Sequence, residues 1–259
     1  MKFNKWLEDT LFRPMGVNSQ STIMVHSAFK QLSKQNVRAE SVCKYLSRYF
    51  YEGNVIMPTM TWRTVNKENC VFDEKATPSH TGILSEIFRT HFATHRSLHP
   101  THSVAALGVD AQYLTHAHHL NSGPCSKTSP YGLIEGSHLR STAFILLIGV
   151  ALESCTYIHL FEEIYNPDAF LVIDDTPYYL KTKSGETQFY ELKRHTKRTR
   201  DFHQFGKKLA NISGIKMSQY GNCDITLVNV NKLSQVLHEE FIKTQYATFC
   251  NHSYQIDSK

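Results

Sequence analysis

The sequence lacks the features that mark several classes of protein. Its longest apolar run, residues 143–152, falls well short of the roughly 20 residues that span a bilayer, and it is typical of a buried strand. Residues 1–9 (MKFNKWLED) include acids where an export signal has its apolar core, so we expect a cytoplasmic protein. No repeat, low-complexity segment or Pro/Gly/Ser-rich linker interrupts the chain, which predicts a single domain over residues 1–259.

Paired cysteines are absent as well. The six cysteines are scattered, and none forms a CxxC motif. A chain of this length can bury a sizeable core without cross-links, so we expect reduced thiols rather than a disulfide framework. The hydrophobic content of 41% and the charged content of 20% are those of an ordinary globular protein.

Apolar periodicity divides the chain into alternating strands and helices. We predict strands at 21–25, 55–57, 103–109, 143–150 and 225–230, and a hairpin joining 178–181 to 188–191. We predict helices at 39–50, 82–92, 158–165, 202–209 and 233–242, and one from Asp110, its cap, to about 120, where the histidines at 116, 118 and 119 form an exposed end. Strands that alternate with helices predict the α/β class.

Four ordered blocks carry the most specific signal. The first has TPS at 77–79, Gly82 and SLHPTHSVAALG at 97–108. The others are MVHS at 24–27, VIMPTMT at 55–61, and GV at 149–150 followed by HLFEE at 159–163. In order and spacing they resemble the aminoglycoside 3-N-acetyltransferase family, also called antibiotic N-acetyltransferases, from about residue 20 to residue 170.

The resemblance implies an α/β fold of central mixed sheets flanked by helices, distinct from GNAT-type acetyltransferases. It implies an enzyme that transfers acetyl from acetyl-CoA to an amine of an amino sugar, without a metal. Residues 20–170 would form the catalytic and CoA-binding region, and the divergent residues 171–259 would help to form the acceptor pocket. We expect no nucleic-acid or membrane partner, and a homodimer is compatible with the resemblance.

The catalytic base is predicted at His159. A spacing of three residues on a helix places His159 and Glu162 on one face, where the carboxylate can orient the imidazole. Acetyl transfer to an amine needs a group that removes a proton as nitrogen attacks, and histidine suits that task. A surface ion pair is the alternative for any isolated HxxE motif. Here the motif follows a buried strand, and α/β enzymes commonly place catalytic groups at the carboxyl ends of strands.

The resemblance also assigns binding residues. The expected CoA contacts are His26, Ser27, Ala28, Phe29, Ser97, His102, Ser103 and Val104, and the expected acceptor contacts are Asp73 and Glu163. Thr61 is placed near the reacting centre, where a hydroxyl could donate to an oxyanion. The alternatives are structural: a helix cap for Ser27, and hydrogen bonds to the backbone for the threonines.

Three alternatives remain open, one of them a different mechanism and two of them different classes of function. His99, His102 and His159 could serve a metal-dependent hydrolase, and Cys155 close to His159 could form an acyl-enzyme. A non-catalytic CoA- or sugar-binding protein on the same scaffold also stays open, because Ala28 and Cys155 depart from the family pattern.

The acceptor is predicted from charge. The net charge of +5 favours anionic ligands over polycationic drugs. The run KRHTKRTR at 193–200 could neutralise phosphates, or it could be a solvated basic loop. We therefore expect a nucleotide-linked or polysaccharide-precursor amino sugar, with an aminoglycoside as the alternative.

Overall fold

The computed structural model describes residues 2–250. It contains ten strands: β1 (Thr22–Ser27), β2 (Asn54–Pro58), β3 (Val71–Asp73), β4 (His95–Arg96), β5 (Val104–Gly108), β6 (Ala143–Ile148), β7 (Leu171–Lys181), β8 (Thr187–His195), β9 (Ile215–Tyr220) and β10 (Cys223–Asn229). Seven of them form a central sheet in the order β4-β5-β2-β1-β6-β10-β9, and the other three form a small sheet in the order β3-β7-β8. The predicted α/β class with mixed sheets is confirmed.

The middle of the large sheet is parallel. Strand β1 pairs in parallel with β2 on one side and with β6 on the other, whereas β5 and β10 join as antiparallel neighbours. All six residues of β6 are buried, which explains its continuous apolar sequence, because layers of side chains cover both faces of the sheet. The carboxyl ends of β1, β2 and β6 therefore lie side by side at one end of the sheet.

Helices cover both faces of this sheet. They are α1 (Phe3–Leu7), α2 (Arg13–Met15), α3 (Lys30–Ser33), α4 (Ala39–Tyr49), α5 (Ile83–His91), α6 (Ala111–Thr115), α7 (Pro130–Glu135), α8 (Tyr157–Tyr165), α9 (Pro167–Phe170), α10 (Gln204–Asn211) and α11 (Val230–Lys243). A π-helical turn (Glu8–Phe12) joins α1 to α2, and 3-10 turns lie at His118–Leu120, His138–Thr142 and Leu152–Ser154. Among residues 2–250, every helix is too short or too polar to cross a membrane.

The predicted strands and most predicted helices are confirmed, but the helix at 110–120 is wrong in three respects. It ends at Thr115, and Asp110 makes no side-chain cap; its carboxylate instead accepts a hydrogen bond from the Asn54 amide. His118 is fully buried rather than exposed, and it bonds to the Ser97 hydroxyl and the Pro124 carbonyl. The prediction also missed β9 and the helices of residues 3–15.

Candidate active site

A cavity of about 320 Å³ lies where the parallel strands end. Its walls come from the end of β1, from the segment after β2, from the loop between β6 and α8, and from the residues just before β5. The lining residues are Val25, His26, Ser27, Pro58, Met60, Trp62, Thr81, Ser85, His102, Val150, Glu153, Ser154, Thr156 and His159. Crevices at the carboxyl ends of strands are where α/β proteins place their ligand sites.

Gly149 brings two of these walls together. It has a φ of +64°, and an added Cβ would lie 2.5 Å from the carbonyl oxygen of Ala28. A side chain would therefore force the end of β6 away from the end of β1. The chain then turns through residues 150–156 into α8, whose buried face fixes the orientation of His159.

His159 and Glu162 form the predicted pair. The Nδ1 atom of His159 lies 2.7 Å from Oε2 of Glu162, and His159 lines the cavity while Glu162 is fully buried. A carboxylate can only accept, so Nδ1 carries a proton, and in the neutral ring the other nitrogen, Nε2, keeps its lone pair. This tautomer is the one that a general base requires.

Two residues from the far end of the sequence hold Glu162 in place. The Arg200 Nε donates to both carboxylate oxygens at 2.8 and 3.0 Å, and the Thr248 hydroxyl donates at 2.5 Å. Burial alone would raise the pKa of Glu162, but His159 and Arg200 outweigh it and hold the pKa below its ordinary value. The carboxylate therefore stays ionised behind the imidazole.

The other face of His159 packs against His195. The two rings are stacked with centroids 4.2 Å apart. His195 ends β8, and its Nε2 lies 3.3 Å from Oε1 of Glu163 without the alignment of a hydrogen bond. Sequence reasoning missed His195 and Arg200, because the run at 193–200 was interpreted by its charge alone, and it missed Thr248, which lies far from His159 in the sequence.

The predicted CoA residues around β1 lie at the cavity and beside it. His26 and Ser27 line the cavity, and neither His26 Nε2 nor the Ser27 hydroxyl has a partner among the described residues. Burial lowers the pKa of His26 to about 4, so its ring is neutral. Ala28 and Phe29 line an adjoining groove of about 560 Å³ that shares Ser27 with the cavity.

Of the predicted CoA residues in the 97–104 block, only His102 lines the cavity. Ser97, Ser103 and Val104 are buried behind it. The Ser103 hydroxyl donates to the carbonyl oxygen of Thr59 and accepts from the buried Arg96 guanidinium. In this structure Ser103 thus joins strands β2, β4 and β5.

Thr61, Asp73 and Glu163 also lie outside the cavity lining. The Thr61 hydroxyl donates to the carbonyl of Pro100 at 2.5 Å, so it would have to leave that bond to meet an oxyanion. Asp73 pairs with Lys181 at 3.0 Å on the small sheet. Glu163 is buried behind His159, and burial raises its pKa to about 8. Their predicted roles stay predictions.

The geometry bears on the two catalytic alternatives. Cys155 is fully buried and outside the cavity lining, and burial raises the pKa of its thiol to about 12, which disfavours an acyl-enzyme. His99 points its Nδ1 at the backbone N–H groups of Thr101 and His102. Among residues 2–250, the donor atoms of His99, His102 and His159 do not form a group close enough to hold a metal ion.

The basic run is partly structural. Arg194 pairs with Asp174 and donates to the Tyr178 hydroxyl, and Arg200 pairs with Glu162. Lys197 and Arg198 are exposed. The run is therefore not a solvated loop throughout, and two of its arginines already neutralise carboxylates of the protein itself.

Comparison with known proteins gives a family match. The model of the family described as aminoglycoside 3-N-acetyltransferase matches residues 24–241. A curated Bacillus subtilis (strain 168) protein, the SPbeta prophage-derived aminoglycoside N(3')-acetyltransferase-like protein YokD, is 21% identical in an alignment 257 positions long that covers 89% of each chain.

Solved structures agree in fold. The crystal structure of YokD from Bacillus subtilis superposes with a TM-score of 0.74 at 21% identity, over 98% of this chain and 95% of that one. AAC-IIIb in a binary complex with CoASH superposes with a TM-score of 0.73 at 19% identity, over 93% of this chain and 97% of that one. A mutant of the aminoglycoside acetyltransferase AAC(3)-IVa in complex with a gentamicin superposes with a TM-score of 0.73 at 19% identity, over 94% of this chain and 91% of that one.

Proposed function

This chain belongs to the aminoglycoside 3-N-acetyltransferase family, and from that premise we propose that it transfers acetyl from acetyl-CoA to an amine of an aminoglycoside-type amino sugar. The observation that carries the proposal is the His159–Glu162 pair, oriented from behind by Arg200 and open to the cavity in front. A non-catalytic binding protein would have no need of a base held in one tautomer.

The proposed reaction uses His159 as general base. The acceptor amine attacks the thioester carbon while its proton passes to Nε2 of His159. The new C–N bond forms, the C–S bond breaks, and the thiolate of CoA takes up the proton from His159. Glu162 stabilises the imidazolium that exists in between. The unpartnered Ser27 hydroxyl lines the same cavity and is available to donate to the oxyanion.

We place acetyl-CoA in the groove that adjoins the cavity. Its lining includes the basic side chains Lys30 and Arg63 together with Ser27, Ala28 and Phe29. Both basic side chains are exposed and can meet the phosphates of CoA, while the thioester reaches inward past Ser27 towards His159. This placement uses residues of the 20–170 region, to which we assign CoA binding and chemistry.

Acetyl-CoA is expected to stabilise the protein. At about a hundred times its dissociation constant the gain in free energy of unfolding is roughly 2–3 kcal/mol, visible as a raised Tm in a thermal-shift assay. Replacing Lys30 and Arg63 with serine should weaken binding about 3–10-fold, because exposed charge contacts contribute about 0.2–1 kcal/mol each. The matched control exchanges Lys44 and Arg48, which lie on α4 away from the groove. An unchanged Tm of the parent at millimolar acetyl-CoA would argue against the placement.

We place the acceptor in a second groove that adjoins the cavity. This groove of about 570 Å³ shares Val150 and Glu153 with the cavity and continues along β9 and β10. Among the described residues that line this groove are the carboxylates Glu153 and Asp224, and no lysine or arginine. Such a groove suits a polycation and not a sugar nucleotide. Together with the relatives named above, this supports the aminoglycoside over the nucleotide-linked sugar that net charge led us to expect.

The charge of the groove gives a test of the acceptor. The double variant Glu153→Gln and Asp224→Asn should raise KM for gentamicin or kanamycin about 3–10-fold and leave KM for acetyl-CoA unchanged, since only the cationic substrate loses contacts. Added salt should reduce the difference between variant and parent. Glu186→Gln, at the exposed tip of the β7–β8 hairpin, is the control. If nucleotide-linked amino sugars are acetylated faster than these drugs, the acceptor assignment is wrong.

A further inference from the structure

Next to His159, three side chains with little exposure bring different donor atoms close together. They are the thiol of Cys125, the carboxylate of Glu163 and the imidazole of His195, and their donor atoms all lie within 4.8 Å of one another. We propose that Cys125, Glu163 and His195 form a binding site for a divalent transition-metal cation of the zinc class. The inference is independent of the acetyl-transfer proposal.

The protein alone leaves this group of donors partly unsatisfied. Cys125 is fully buried, and the side chains of Glu163 and His195 are only 5% and 13% exposed. The Nε2 atom of His195 has no hydrogen-bond partner among the described residues, although Glu163 is close by. Burial disfavours ionisation of both the Cys125 thiol and the Glu163 carboxyl, so the pKa of each is raised. A buried polar atom without a partner is costly, and a cation would bind His195 Nε2 and favour the ionised forms of the thiol and the carboxyl.

The chemistry of the set matches zinc. Thiolate sulfur, imidazole nitrogen and carboxylate oxygen are the donors that zinc uses, and three protein ligands leave one position open. In a tetrahedral site with bonds of about 2.0–2.3 Å the donors lie roughly 3.3–3.8 Å apart, so side-chain shifts of about 1 Å would complete the site. A thiolate and a carboxylate together neutralise a divalent cation, and the thiol proton, together with any proton on the Glu163 carboxyl, is released to solvent on binding.

The surroundings hold the carboxylate in place. The backbone N–H of Cys125 donates to Oε1 of Glu163 at 2.7 Å, which is the kind of outer contact that orients a metal ligand. Gly123 lies against the other oxygen, where an added Cβ would be 2.2 Å from Oε2. The loop before Cys125 is thus shaped around Glu163 from both sides.

A second grouping, His159 with Glu162 and His195, is also close enough to hold a cation. There, however, Glu162 already accepts from Arg200, Thr248 and His159, and the guanidinium would repel a metal ion. Within residues 2–250, no arginine or lysine forms an ion pair with Glu163. The geometry therefore favours the group that contains Cys125.

Cobalt is a suitable probe, because a thiolate ligand gives Co²⁺ a near-ultraviolet charge-transfer band. Chelator-treated full-length protein should bind one equivalent of Co²⁺ with that band, and Zn²⁺ should displace it and raise the Tm by several degrees. Cys125→Ser should abolish the band, whereas Cys155→Ser, which removes another buried thiol close to the active site, should retain it. Glu163→Gln should weaken Co²⁺ binding by about tenfold or more.

Three results would overturn the proposal: no charge-transfer band in the parent, a band that persists in Cys125→Ser, or Co²⁺ affinity unchanged in Glu163→Gln. The Glu163 variant decides the matter if Cys125→Ser does not fold, which circular dichroism would show. Since the readout is optical, loss of acetyl transfer does not enter it. An enzyme that transfers acetyl but takes up no Co²⁺ at this site would refute the metal and leave the proposed function intact.

Discussion

Replacing His159 with alanine is expected to lower the rate of acetyl transfer by about 10²–10⁴-fold, the usual contribution of a general base. Binding of acetyl-CoA should be nearly intact, because the imidazole acts on the amine and not on the phosphates. Glu162→Gln should have a smaller effect, since it weakens orientation without deleting the base. Release of free CoA measures the rate, and the Tm shift measures cofactor binding.

The control is His91→Ala, which removes an exposed histidine at the end of α5. It should behave like the parent in both assays. If His159→Ala retains activity within threefold of the parent, the base lies elsewhere, and His102 on the cavity wall becomes the candidate.

The sequence was sufficient for the local part of this site. His159 and Glu162 are three residues apart on one helix, after a strand with a continuous apolar run, so spacing alone predicts their contact. The strands predicted correctly were those with strong apolar patterns. Strand β9 was missed because its residues are half exposed or exposed at the edge of the sheet, which leaves little apolar signal.

The non-local part could not be predicted in the same way. Arg200 and Thr248 reach Glu162 across separations of 38 and 86 residues, and nothing in their local sequence indicates a buried carboxylate as the partner. Net charge is a weak guide to the acceptor for a related reason. It averages over the surface, whereas Arg194 and Arg200 pair with internal carboxylates and the charged residues lining the groove beside Glu153 are acids.

Arg200→Met is expected to be the most destabilising of these substitutions. Glu162 is fully buried and Arg200 only 13% exposed, so the pair is little screened by solvent. Removing one partner of a buried ion pair leaves the other charge buried and unpaired, which lowers the free energy of unfolding by about 3–5 kcal/mol. Arg198→Met removes an exposed side chain that lies over the Phe249 ring, two residues from Arg200. It should change the free energy of unfolding by far less. Urea unfolding at neutral pH measures both.

The double variant Arg200→Met with Glu162→Gln separates charge from packing. Because the unpaired Glu162 carboxylate is gone, the double variant should be more stable than Arg200→Met alone, although its activity should stay low. A double variant no more stable than the single one would mean that Arg200 acts through packing on Phe170 and Phe249 rather than through Glu162.

The pH dependence of the difference between parent and Arg200→Met follows from the same pair. In the parent, the pKa of Glu162 is lowered by folding, so its contribution is present above the unfolded value of about 4.3 and is lost as the pH falls through the folded pKa. In Arg200→Met, fewer partners oppose the effect of burial, so the pKa of Glu162 rises. The carboxyl is then protonated at a higher pH, and the cost of burying an unpaired carboxylate disappears on acidification. The stability gap should therefore narrow between neutral pH and about pH 4, as measured by urea unfolding at each pH. A gap that is constant over this range would contradict the assignment of Arg200 as the residue that keeps Glu162 ionised behind His159.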